Sequence, residues 1–274
     1  MDDSARRWTR HRELWAYFAL AFGLTWAVHI PLALAAKGLL DISVAPGLHF
    51  LGAAGPISAA LIVTAASRGS SGLRDLIGRM FRWRVGVRWL LFALFSPVAF
   101  FLAAAALTRL FTGAWPALDR FGHIAEFPTV NWLVGWVLWT VAFGFGEETG
   151  WRGFALPRLQ RNRSARSATL ILGALWALWH LPSFFYNYPG LTAFGVVAFV
   201  VSIMSGALVL TWLYNSTGGS ILVAALWHGA FNAATASGEG PMSALVSAFV
   251  ILTAVLVARW AGPEDLSRRG KQTL

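Results

Sequence analysis

The sequence predicts an all-α polytopic membrane protein of about eight transmembrane helices, and three observations predict it. The chain of 274 residues is 57% hydrophobic, with a mean hydropathy of +0.60. Charged residues make up 12%, about half the ~25% of an ordinary soluble domain, too few to cover a water-facing surface. Apolar runs of roughly the ~20 residues that a membrane-spanning helix needs recur between short polar segments. Helices are the spanning form that satisfies its own backbone within one segment. The same composition excludes a disordered chain.

The elements follow in chain order. Residues 1–13 are polar and carry Arg6, Arg7, Arg10 and Arg12, so they read as a cytoplasmic N-terminal tail. The first apolar run, about 14–36, is longer than the core of a cleaved signal and contains His29 and Pro31, so it reads as an uncleaved span. A second run covers about 46–66. Segment 67–88 then carries six arginines, from Arg68 to Arg88, while Leu73, Leu76, Ile77, Met80 and Phe81 recur at helical spacing. That pattern predicts an amphipathic helix at the membrane interface. Further spans are expected near 89–111, 131–147, 167–185, 192–213, 220–236 and 243–260, followed by a cytoplasmic tail at 261–274. The polar stretch Asp119 to Glu126 and the glycine-rich turn 238–241 are expected as loops. Nothing divides the chain, and 1–274 reads as a single membrane domain.

Charge fixes the expected orientation. The net charge is +10, and Lys37 and Lys271 are the only lysines. With the N-terminus inside, the N-terminal arginines, Arg68–Arg88, Arg152–Arg166 and the C-terminal tail all fall on the cytoplasmic side, as the positive-inside rule requires. The arginine excess is thus topological, and no nucleic-acid partner is expected. The absence of cysteine excludes disulfides, Cys-ligated zinc and iron–sulfur clusters.

The scarcity of acids makes the candidate site visible. Of 12 acidic residues, Glu147 and Glu148 are the ones set in an apolar helix away from a turn. Histidines at 29, 49, 180 and 228 fall in or beside spans. An ionisable group inside the bilayer is expensive and is a functional candidate by default. His29 and His49 read as structural hydrogen-bonding groups. At ~1.5 Å per residue, Glu147, His180 and His228 lie about 14–20 Å from the cytoplasmic surface, on three separate spans, so they can meet near mid-membrane. Glu148 and Arg152 stand at i and i+4 on one helical face, a charge-neutral pair that leaves Glu147 to face a cavity. Trp176 lies one turn from His180, and His228 and Asn232 share a face. A carboxylate in an apolar site is a general base for water, and a His/Asn pair can stabilise an oxyanion. The same Glu147, His180 and His228 could instead ligate zinc, which would activate the water itself. Both mechanisms stand open on the residues. The helix-borne His-Glu-x-x-His zinc signature is absent.

Glu147-Glu148-x-x-x-Arg152, Trp176-x-x-x-His180 and His228-x-x-x-Asn232 together resemble the three motifs of the CPBP family. That family comprises type II CAAX prenyl endopeptidases, bacterial Abi proteins and lysostaphin-resistance-protein-A-like proteins. The resemblance covers about 143–236; Trp176 departs from it, since phenylalanine is more usual there. It implies an eight-helix fold enclosing a cytoplasm-facing intramembrane cavity, with Glu147 activating water, His180 helping to hold it, and His228 and Asn232 forming the oxyanion hole. Glu148 and Arg152 are then supporting residues of the site. The expected activity is an intramembrane endopeptidase in a bacterial cell membrane, acting on a peptide or membrane protein, lipidated or not, with membrane lipid as its other partner. The competing expectation is a non-catalytic immunity or scaffold protein that reuses the fold. A small transporter is the third, disfavoured because no inverted repeat is evident.

Overall fold

The computed structural model describes residues 3–188, 190–236 and 241–274, with side chains from Arg12 onward except that of Pro241. The side chains of Arg6, Arg7 and Arg10, and residues 238–240 of the expected glycine-rich turn, lie outside the described residues. Helix α1 spans Asp3–Ala36, α2 Ala54–Met80 and α3 Val87–Thr112. Helix α4 is the continuous helical segment 132–159. Helix α5 spans Ala165–Trp179, α6 Ala193–Ser216, α7 Ile221–Ala236 and α8 Pro241–Trp260. No strand occurs among the described residues. Among the described residues six stretches are long and apolar enough to cross a membrane, α7 is a shorter apolar helix, and α4 completes the expected eight.

One boundary differs from the expected ones. Residues 3–13, read as a tail, are the first turns of α1, because nothing between Asp3 and Pro31 interrupts helical backbone. Segment 67–88 holds the expected amphipathic helix, which ends at Met80 and is set off from the span before it by a kink. The kink is at Gly69, whose φ of 57° and ψ of −153° are non-helical and suit glycine, so α2 is two helices joined there. Beyond the break Gly72, Leu76 and Arg79 turn inward, while Ile77, Phe81 and Trp83 are exposed.

Local signals set several helix starts. The Asn131 side chain accepts from the amides of Leu133 and Val134, Ser164 from that of Ser167, and Thr192 from that of Gly195. The arginine-rich loops and the chain end gather at one end of the bundle. There 261–274 is folded against its neighbours: Leu266 is buried beside Ala165 and Val257. Gln160 Nε2 donates to the Gln272 carbonyl at 2.7 Å, and Asn215 Nδ2 to the Asp265 carbonyl at 2.8 Å.

Helix α4 sits at the centre, packed on α2 and α7. Small residues permit this. A Cβ at Gly144 would lie 2.5 Å from the Ala225 carbonyl oxygen of α7, and one at Gly229 of α7 would collide with Thr140 of α4. The close approach brings the Glu147-Glu148 turn within side-chain reach of α7.

Candidate active site

Helix α4 is irregular where the acidic pair lies. Residues 140–145 and 151–155 are wound as π-helix, and the α-helical turn Gly146–Gly150 lies between them. Such π-turns are rare and concentrate at functional sites. Both glutamates are buried, with Glu147 2% exposed and Glu148 fully enclosed.

The two carboxylates have different partners. Glu147 Oε2 accepts from the indole N–H of Trp176 on α5 at 2.6 Å, and from that of Trp151 on its own helix at 3.4 Å. Its other oxygen makes no hydrogen bond among the described residues. Glu148 Oε1 accepts from Arg152 Nη1 at 3.0 Å and from His228 Nδ1 of α7 at 2.8 Å. The Arg152 guanidinium also lies over the Trp176 ring, 4.6 Å from its centroid.

Trp176 is the hub of the cluster. Besides its bond to Glu147 and its stack with Arg152, its ring centroid lies 5.5 Å from that of His228 and 5.9 Å from that of His180. His180 closes the C-terminus of α5. A carbonyl accepts and cannot donate, so the 2.8 Å contact between His180 Nδ1 and the Trp176 carbonyl places a proton on Nδ1. His180 Nε2 is then the lone-pair nitrogen. By the same logic the Glu148 contact places a proton on Nδ1 of His228 and leaves Nε2 as its unengaged nitrogen. Asn232 lies one turn beyond His228, half-buried, and its side chain makes no hydrogen bond among the described residues.

Of the residues singled out from sequence, Glu147, Glu148, Arg152 and His228 are thus joined by direct contacts or through Trp176. His180 joins them through Trp176, and Asn232 through its place on α7. His29 and His49 sit apart: His29 Nε2 meets the His49 carbonyl at 3.3 Å, and His49 Nδ1 lies 3.6 Å from Glu126. Two residues of the cluster carried no signal in the sequence. Trp151 looks like any membrane tryptophan. Tyr17 of α1 is fully buried, its hydroxyl has no hydrogen-bond partner among the described residues, and a Cβ on Gly150 would fall within 2.4 Å of its oxygen. Glu148 Oε2, Arg152 Nε and Nη2, and Thr149 Oγ1 are likewise buried without a hydrogen-bond partner among the described residues.

The zinc reading asks Glu147, His180 and His228 to converge on one point. Among the described residues no three His, Asp or Glu side chains are placed to hold one metal ion. One oxygen of Glu147 and the Nδ1 of each histidine are already bonded to protein. These residues do not form a ready ligand set, and protein groups alone carry the chemistry derived below.

Fold and cluster together define a class: polytopic helical membrane proteins that hold paired carboxylates, an arginine and imidazoles inside the bundle. Within that class, residues 129–234, which contain all three motifs, match the family model "Type II CAAX prenyl endopeptidase Rce1-like". The chain is also 25% identical to "CAAX prenyl protease 2" of Methanococcus maripaludis, over 70% of each chain. The family resemblance carried by the three motifs is borne out by these matches. At the level of the family they support an endopeptidase embedded in a membrane.

Proposed function

We propose that this protein is an intramembrane endopeptidase that hydrolyses a peptide bond with water activated by Glu147. The observation that carries the reading is the state of that carboxylate. It is buried, oriented through one oxygen by two indoles, and keeps its second oxygen unengaged among the described residues, while the Trp176 ring that holds it also lies against the imidazoles of His180 and His228 on two other helices. Glu147 takes a proton from water as the water oxygen bonds to the scissile carbonyl carbon. His180 Nε2 accepts the water's other O–H and fixes its direction. The carbonyl oxygen becomes an oxyanion, which His228 Nε2–H and the Asn232 amide stabilise. Breakage of the C–N bond then returns the proton held on Glu147 to the leaving amine. As an oxyanion donor His228 carries protons on both ring nitrogens. In that form the charges of Glu147, Glu148, Arg152 and His228 sum to zero, so the buried cluster is neutral.

The relative's name supplies the substrate class to try first, a peptide ending in a prenylated cysteine motif. A bacterial cell membrane with both termini and the arginine-rich loops in the cytoplasm is the setting this reading takes, on the charge asymmetry of the loops. The test is cleavage of prenylated and unprenylated peptides and of a membrane-protein library by purified protein, with and without chelator, beside Glu147→Gln. A general base is worth about 10²–10⁴ in rate, so Glu147→Gln should lose at least that much while melting like the parent. Chelator should leave the rate unchanged, and loss with chelator would return the mechanism to a metal. Product formation that survives Glu147→Gln would remove the site altogether. A cellular phenotype intact in Glu147→Gln would favour the scaffold alternative.

A further inference from the structure

A second feature lies outside the cluster. At the arginine-rich end, α3, α6, α8 and the folded chain end enclose a partly open cavity of about 600 Å³. Its walls are apolar, from Trp89 and Phe92 on α3, Trp212 on α6, and Leu256 and Val257 on α8. Its rim is cationic: Arg88 opens α3, and Arg268 and Arg269 come from the chain end. All three arginines are exposed, and none forms an ion pair with a carboxylate among the described residues. None of the cluster residues around Glu147 lines it.

We infer that this cavity is a specific binding site for one anionic phospholipid, its acyl chain lying among Trp89, Trp212 and Val257 and its phosphate held by Arg88, Arg268 and Arg269. The apolar walls stand between spans, where hydrocarbon rather than water is the surrounding solvent. Guanidinium groups match phosphate oxygens with paired N–H donors, and unpaired arginines at this end of a bundle meet the charged leaflet. Charge complementarity selects an anionic headgroup over a zwitterionic one, and the apolar depth selects a lipid over free phosphate. Two rim arginines belong to the chain end, which is bonded through Gln272 to Gln160 just past α4. A lipid there therefore also fastens 261–274 to the bundle.

The experiment is a titration of the full-length protein in detergent with phosphatidylglycerol, and separately with phosphatidylcholine, read by native mass spectrometry and by thermal unfolding. One phosphatidylglycerol should bind in preference and raise the melting temperature. At about fivefold per arginine, the Arg88→Gln, Arg268→Gln, Arg269→Gln variant should bind roughly a hundredfold more weakly. A variant with the same charge loss elsewhere, Arg74→Gln, Arg84→Gln, Arg109→Gln, should bind as the parent does. Leu256→Trp, which fills the cavity and keeps the rim, should lose the lipid as well. Equal binding of the two lipids, equal loss in the control variant, or displacement of phosphatidylglycerol by a prenylated peptide would overturn the proposal. Peptide cleavage is scored separately, so failure here leaves the Glu147 reading intact.

Discussion

Two buried arginines of this molecule invite comparison. Arg79, near the end of α2, is 5% exposed and has every nitrogen engaged. Nε and Nη2 meet Asp75 at 3.2 and 3.1 Å, and Nη1 donates to the Gly153 carbonyl and the Tyr214 hydroxyl, both at 2.8 Å. Arg152, on α4, is fully buried, yet it holds Glu148 through Nη1 and leaves Nε and Nη2 without a hydrogen-bond partner among the described residues. An unmet buried donor costs about 1–3 kcal/mol, and a fold selected for stability alone would resemble Arg79. The difference separates a clamp, which ties α2 to α4 and α6, from a site that keeps polar capacity in reserve for what enters it.

The sharpest way to break this comparison is to remove each arginine. Arg152→Met strands the enclosed Glu148 carboxylate and should destabilise by about 3–5 kcal/mol; Arg79→Met, whose partner Asp75 is 36% exposed, should cost about 1–3 kcal/mol through the Gly153 carbonyl and Tyr214 hydroxyl it leaves unmet. Thermal or denaturant unfolding in detergent checks both losses. Turnover per folded molecule should then divide them, falling by tenfold or more in Arg152→Met and remaining at the parent level in Arg79→Met. Equal losses of turnover would erase the distinction between clamp and site.

A smaller effect sharpens the role of the hub. Trp176→Phe keeps an aromatic ring under Arg152 but removes the N–H that orients Glu147. A hydrogen bond to a charged group is worth about 1.5–3 kcal/mol, so kcat should fall by roughly tenfold to a hundredfold with KM little changed. A change confined to KM would show that Trp176 shapes the pocket and does not orient the base. The smallest effects concern the two tyrosines. Tyr214→Phe removes an acceptor from Arg79 and should cost about 1.5–3 kcal/mol of stability. Tyr17→Phe deletes a buried hydroxyl with no hydrogen-bond partner among the described residues and should leave the melting temperature unchanged or raise it. If Tyr17→Phe melts well below the parent, the hydroxyl is part of a structural network, and the contrast between the two regions weakens.

The parts of the site that could be read from the chain share one property. Glu147, Glu148, Arg152, His180 and His228 are ionisable groups within or at the end of apolar stretches, where their cost marks them out. The Glu148–Arg152 pair was legible too, since i and i+4 place two side chains on one helical face whatever surrounds them. The partner of His228 was not. Its Nδ1 meets Glu148, not the Glu147 side, and that choice depends on how α7 is rotated and how closely Gly144 and Gly229 let it approach. Tyr17 and Trp151 were invisible because aromatic residues are ordinary in membrane helices.

By itself, then, the sequence determined that the chain is a bundle of membrane helices, which segments carry its arginines, and which ionisable residues fall within or at the ends of its apolar stretches. Hydropathy, charge and residue spacing are local quantities, and the bilayer turns them directly into spans and depths. The tertiary structure decided the π-turns around Glu147-Glu148 and the meeting of Trp176, Arg152 and His228. It also decided the docking of 261–274 and the cavity among α3, α6 and α8. These depend on contacts between residues far apart in the chain, and such contacts are set by close packing of whole helices, which no single stretch of sequence encodes.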